Sequence, residues 1–281
     1  MKTALIALLG IASMCVAQTA DHQDLAGALN KHYLNQTLVL RRAVTENSQT
    51  YDSAGTLLSP AHEGPWTVCS GLKPTAIRIT TDEVRIEGDR LTFAFESPQT
   101  GLAPTKTPGK NKKKNHIQIM VKLSEPLVSL EQADAVLSKV FAMTDDDVIQ
   151  SVPEFWKNYL TKRTELKKAP ESRKAEAENP ARKKDAVFNV GNGVTAPRAI
   201  HTPEPNFSDV AKEAKYHGVV VLSAVIDETG RVLNPYITRP AGMGLDEKAI
   251  EVVQSWRFKP GMRDGQPVKV EMTLEIAFNL Y

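Results

Sequence analysis

The chain of 281 residues is long enough for two ordinary domains and a linker, and too long for one small module. Charged residues make up 24% and the hydrophobic set 41%, which excludes wholesale disorder and a protein of many membrane spans. The net charge is +2, from 35 Lys and Arg against 33 Asp and Glu, so composition gives no reason to expect nucleic-acid binding. Two cysteines, Cys15 and Cys69, exclude a disulfide-stapled scaffold and a four-cysteine zinc site.

Lys2, an apolar run from Thr3 to Ala12, and the small residue Ala17 give the pattern of a secretory signal peptide over residues 1–17. A retained anchor is the competing reading. Gln18 and Thr19 weaken the end of the uncharged run, where a spanning helix wants about 20 apolar residues. Met14 is bulky where a lipoprotein signal needs a small side chain. The expectation is an exported protein in which Cys69 is the thiol left after cleavage, buried rather than reactive.

Asp21 to Tyr33 reads as a short polar helical lead-in. Short β-branched segments follow at Leu38–Leu40, Trp66–Cys69, Ile77–Thr80, Val84–Ile86, Leu91–Phe95 and Ile117–Val121. Turn signals at Asp52–Gly55, Glu63–Pro65, Gly71–Pro74 and Glu87–Asp89 separate them. This spacing predicts a small antiparallel barrel or sandwich. Ser129-Leu130-Glu131-Gln132 has capping-box spacing and opens a helix to about Phe141. Thr144-Asp145-Asp146-Asp147 opens the next, through Val148, Ile149, Val152, Phe155, Trp156, Tyr159 and Leu160 at helical spacing, with Pro153 kinking or restarting it. These helices are expected to close the core of a domain over residues 21–160. No motif names its function, though it is large enough for a small-ligand pocket; a deep cleft with converging polar groups around Trp66, Arg78 or Arg90 would favour that reading.

Residues 161–187 read as a charged linker. Thr161–Asp185 holds nine Lys or Arg against five Asp or Glu, and Leu166 is its only large aliphatic residue. The remainder, 188–281, is more legible. Val220, Leu222, Ala224 and Ile226 line one strand face, Asp227-Glu228-Thr229-Gly230 is a turn, and Val232–Thr238 returns as a second arm. Pro235 places that arm at a sheet edge. Leu245, Ala249, Ile250, Val253 and Trp256 share a helix face, stopped at Pro260. Val268, Val270, Met272, Leu274, Ile276 and Phe278 then alternate with polar positions, as a half-buried strand does.

Gly218-Val219-Val220-Val221, Gly230-Arg231-Val232, Leu245-Asp246-Glu247-Lys248-Ala249, Trp256-Arg257-Phe258-Lys259-Pro260 and Asp264-Gly265-Gln266-Pro267-Val268 together resemble the C-terminal domain of the TonB family, over about residues 197–280. The resemblance implies an antiparallel sheet backed by a helix in the periplasm; with the β-rich segment before it, the chain reads as an exported α+β protein of two domains. It further implies a protein partner, such as a segment of an outer-membrane receptor, added as a strand to an exposed sheet edge. Val268, Val270, Met272, Leu274 and Ile276 are the candidate partner-binding residues. Two departures stand out. Pro205-Asn206-Phe207-Ser208 occupies the stretch where the family usually has Tyr-Pro, and a signal peptide and compact domain stand where a force-transmitting member has an anchor and a proline-rich spacer. Two readings therefore remain open beside the leading one of a non-enzymatic interaction protein in envelope transport. One is a membrane-anchored energy transducer for outer-membrane receptors; the other is a ligand-binding N-terminal domain docked through the C-terminal module.

Signatures of catalysis are missing from the sequence. The six histidines, His22, His32, His62, His116, His201 and His217, have no i, i+4 partner, and neither a Gly-x-Ser-x-Gly elbow nor a P-loop occurs. No catalytic, metal or cofactor residues are expected, and Asp145–Asp147 read as a helix first turn favoured by the dipole. The lysines at 106, 110 and 112–114 lack interleaved aromatic residues and read as a solvated hairpin tip.

Overall fold

The computed structural model describes residues 24–95, 102–106, 115–168 and 186–279. The signal-peptide segment 1–17, the tip of the lysine-rich loop and residues 169–185 of the expected linker lie outside the described residues.

A helix over residues 24–33 (α1) precedes strands β1 (Leu38–Leu40) and β2 (Ser48–Tyr51), a short helix α2 (Trp66–Cys69) and strand β3 (Gly71–Ile79). Then come β4 (Glu83–Phe95), β5 (Leu102–Lys106), β6 (His116–Lys122), α3 (Leu130–Val140), β7 (Phe141–Ala142), α4 (Asp145–Ser151) and α5 (Glu154–Lys168). The last third holds β8 (Phe188–Asn189), β9 (Arg198–His201), α6 (Asp209–Ala214), β10 (Gly218–Ile226), β11 (Val232–Arg239) and α7 (Leu245–Ser255). It closes with β12 (Arg257–Lys259), β13 (Gly261–Arg263), β14 (Gln266–Val268) and β15 (Val270–Phe278).

These elements form two compact units. The first takes Met1–Gly64, Cys69–Leu91 and Gly109–Val148; the second takes Pro65–Val68, Thr92–Pro108 and Ile149–Tyr281. The first is built on the sheet order β2-β6-β4-β3-β1-β7, antiparallel except where β2 lies parallel to β6. The expected barrel or sandwich is therefore a single open sheet. Its core joins Leu25, Leu29 and Tyr33 of α1, Ile77, Ile86, Ile117 and Ile119 of the strands, and Ala133, Leu137 and Val140 of α3. Ser129 caps α3 by accepting the Gln132 N–H at 3.2 Å, while Gln132 Oε1 takes the Val128 N–H. Thr144 and Asp147 cap α4 reciprocally, each side chain accepting the other's backbone N–H, at 3.1 and 3.0 Å. The Arg41 guanidinium on Asp147 holds that carboxyl below the usual range.

Three local readings are corrected here. Val84–Ile86 and Leu91–Phe95 are one strand, β4, and Glu87–Asp89 is its middle rather than a turn. Gly88 is needed there because a Cβ would stand 2.4 Å from the Lys73 carbonyl oxygen, where β3 bulges past Pro74. Gly71–Pro74, likewise, begins β3 instead of turning. Trp66–Cys69 is a helical turn and not a strand: it follows Pro65, whose carbonyl accepts the Val68 N–H, and Glu247 accepts the Trp66 N–H at 3.0 Å.

In the second unit the sheet runs β11-β10-β15-β8, with α7 packed behind β10 and β11 and α5 packed on β11. Pro153 ends α4 and α5 restarts at Glu154, burying Val152, Trp156 and Leu160. Trp66 stacks on Phe93 at 5.4 Å and meets Trp156 at 5.6 Å. The helix after Leu245 ends at Ser255, not at Pro260: Trp256 is already extended, and Arg257–Lys259 is strand β12 paired with β9. The Trp256 indole N–H fixes that exit by donating to the Pro203 carbonyl at 3.1 Å.

Candidate partner-binding edge

Residues 218–226 have the β-branched composition of a central strand and pair on both sides. On one side lies β11, reached through the turn in which Asp227 Oδ1 accepts the Thr229 and Arg231 N–H groups and Gly230 takes φ +83°. On the other lies β15, in unbroken antiparallel register from Gly218↔Phe278 to Ile226↔Val270.

The far edge of β15 is only partly used. Strand β8 adds to it in parallel at Val270 and Glu271, and the Phe188 N–H donates to the Lys269 carbonyl at 2.8 Å. That carbonyl therefore points outward. Backbone groups in a strand alternate sides, so the N–H and C=O of Glu271, Thr273, Glu275 and Ala277 point outward too, and those of Val270, Met272, Leu274, Ile276 and Phe278 point at β10. Past Glu271, no strand among the described residues pairs with this edge. Thr273, Glu275 and Ala277 are exposed. Arg263, in β13, lays its guanidinium over the Phe188 ring at 4.8 Å and secures β8 where it stands.

The five residues named from sequence do not form one surface. Val268 lies in β14, paired with Gly261 across a tight hairpin in which Asp264 (φ +49°) and Gly265 (φ +78°) make the turn. Val270, Leu274 and Ile276 are buried beneath the sheet, and Met272 is half-buried. Their backbone pairs with β10. The groups placed to receive another strand belong to the intervening polar residues. Period-two alternation marks which side chains are buried, and parity then assigns the outward backbone to the opposite set once one outward carbonyl is known.

A second constellation sits at the start of α7. Asp246 is fully buried, and its carboxylate accepts the Ala241 and Gly242 N–H groups at 2.8 and 2.6 Å. Burial, with the Glu247 charge beside it, pushes Asp246 up to about 8. Glu247 is raised by burial as well and accepts the Trp66 N–H. Gly244 gives its N–H to Thr67 Oγ1 at 2.9 Å. These bonds shape the loop 241–244. Trp66, Arg78 and Arg90 are each engaged locally. Trp66 is in the aromatic stack, Arg78 pairs with Glu87 on a strand surface, and buried Arg90 donates to the carbonyls of Val44, Thr45, Glu46 and Cys69.

The family model of the Gram-negative bacterial TonB protein C-terminal matches residues 203–280. Residues 203–280 are a TonB C-terminal domain. The Protein TonB of Vibrio cholerae serotype O1 is 27% identical over 78 residues, which is 27% of this chain and 32% of that protein. The chain thus spans about a third of that relative's length. The solution NMR structure of the Pseudomonas aeruginosa TonB CTD, 18% identical, is matched over 33% of this chain and 93% of that one, with a TM-score of 0.26. In this TonB domain the matched stretch includes α6, β10, β11, α7 and β12 to β15, while β8, β9 and α5 lie before it. No described helix is long and apolar enough to cross a membrane.

Proposed function

We propose that this is a non-enzymatic, exported envelope protein that captures an extended segment of a partner by strand addition to the outer edge of β15. The observation that carries the reading is the exposed edge at Thr273, Glu275 and Ala277, beside a strand whose other edge is fully paired. The family likeness supports a partner in transport across the outer membrane, with a segment of an outer-membrane receptor as the first candidate. Cleavage after Ala17 would make the protein a periplasmic binding or scaffolding module; retention of that segment would make it an anchored energy transducer.

Proline scanning tests the edge. Glu275→Pro removes an outward N–H that β10 does not use, and an edge strand tolerates that loss. Leu274→Pro removes an inward N–H and breaks the β10 ladder. On an array of peptides from the periplasmic segments of outer-membrane receptors, the native protein is expected to bind a subset. Glu275→Pro should keep its fold and lose that binding, while Leu274→Pro should unfold. Binding untouched by Glu275→Pro would refute capture at this edge.

A further inference from the structure

We propose that the β9–β12 ribbon is a docking surface for an anionic membrane, separate from the β15 edge. Its register sets Lys259 opposite Arg198 and Arg257 opposite His201, and on the other side of β12 a bridge sets Arg231 opposite Arg257. Directly opposed residues of an antiparallel pair share a face with Cβ atoms about 5 Å apart, and like charges so placed repel. Two of these pairs, Lys259 with Arg198 and Arg231 with Arg257, are of like charge, and an anion over this face relieves their repulsion. Every one of these basic side chains is exposed, while Phe258 between Arg257 and Lys259 is buried and roots the ribbon in the core.

Arg257 is held in place, and most of these charges lack an acidic partner. Arg257 holds its guanidinium by donating from Nη1 to the carbonyls of Gln254 and Trp256. Among the described residues, Arg198, Arg231, Arg257 and Lys259 make no ion pair. Arg231 is the exception: the Asp227 carboxylate, which accepts from Thr229 and from the Arg231 N–H within their shared turn, offsets part of its charge. The whole chain is nearly neutral, so this concentration is local.

The register shift between Arg257 and Phe258 leaves Ile200 as an extra residue beside His201, and Ile200 is 71% exposed. An aliphatic side chain amid cationic groups suits a layer of lipid headgroups, where the charges meet phosphates and the apolar tip enters the acyl boundary. A dissolved polyanion has no use for it.

Co-sedimentation of the full chain with vesicles tests this, using phosphatidylglycerol mixed with phosphatidylcholine against phosphatidylcholine alone. Binding is expected to the first and not to the second. Each cationic side chain near an anionic leaflet is worth about fivefold. The triple variant Arg231→Gln, Arg257→Gln, Lys259→Gln should therefore bind roughly a hundredfold more weakly. Its charge-matched control, Lys31→Gln, Lys73→Gln, Lys139→Gln, takes exposed lysines of the first unit and should stay near the native protein. Ile200→Ser should weaken vesicle binding without changing competition by inorganic polyphosphate. The tryptophan unfolding curve of each variant shows whether the second unit is intact, and the single variant Lys259→Gln, expected to lose about fivefold, serves if the triple does not fold. No binding to the anionic vesicles, equal losses in the two triple variants, or binding indifferent to Ile200→Ser would each overturn the proposal.

Discussion

Replacing Gly230 by alanine gives the sharpest test of how the C-terminal sheet is held to its neighbours. Gly230 has φ +83°, and a Cβ there would stand 1.7 Å from the Phe258 carbonyl oxygen. Reaching even 3.0 Å requires the two segments to part by 3.0 − 1.7 = 1.3 Å. The bond from the Phe258 N–H to the Gly230 carbonyl, 2.9 Å long, does not survive that separation. The left-handed backbone costs ~1 kcal/mol with a side chain, and stranding buried backbone groups costs ~2 kcal/mol more. A loss of about 3 kcal/mol follows, before the Phe258 ring is disturbed. Gly265→Ala is the control: its φ is +78°, but nothing lies within 4 Å of its added methyl, so only ~1 kcal/mol is at stake. All three tryptophans, Trp66, Trp156 and Trp256, belong to the second unit, so indole emission during urea unfolding reports on that unit. With a urea slope of about 2 kcal/mol/M, Gly230→Ala should lower the midpoint by roughly 1.5 M and Gly265→Ala by about 0.5 M. Equal shifts would refute the argument from close approach.

Two further outcomes concern the first unit. Arg90→Met removes the donors that serve four backbone carbonyls and should cost about 3–5 kcal/mol, read as an earlier loss of far-ultraviolet ellipticity with little change in the early indole signal. Glu46 is held down to about 2, first by the His62 side chain and then by the His62 backbone N–H. Its folded value lies below its unfolded one, so its contribution is present above about pH 4.5 and lost as pH falls toward 2. Glu46→Gln should therefore flatten the acid limb of the stability curve between those values; an unchanged limb would assign acid sensitivity to other carboxylates.

What the sequence made legible was what local rules decide. The β10 face, the Asp227–Gly230 turn, the edge position of Pro235, the Ser129 and Thr144 caps and the break at Pro153 all follow from residues within one turn or strand of each other. What stayed hidden depends on distant partners. Gly88 reads as a turn until the Lys73 backbone is seen against it. Trp66–Cys69 has strand composition, yet it is helical with Glu247 at its N-terminus. The outward carbonyl of Lys269, which fixes the parity of the candidate edge, shows only in the pairing with Phe188.

The two units are also interleaved in time. The chain passes between them at residues 64/65, 68/69, 91/92, 108/109 and 148/149, so no single cut separates one from the other. Trp66 leaves the ribosome 181 residues before the Glu247 that accepts its N–H. Loop closure over such a separation is entropically costly and slow, so the second unit is expected to finish last, with Trp66 and Phe93 left without their late-arriving neighbours until it does. That interval is when the nascent chain exposes the most apolar surface to wrong partners.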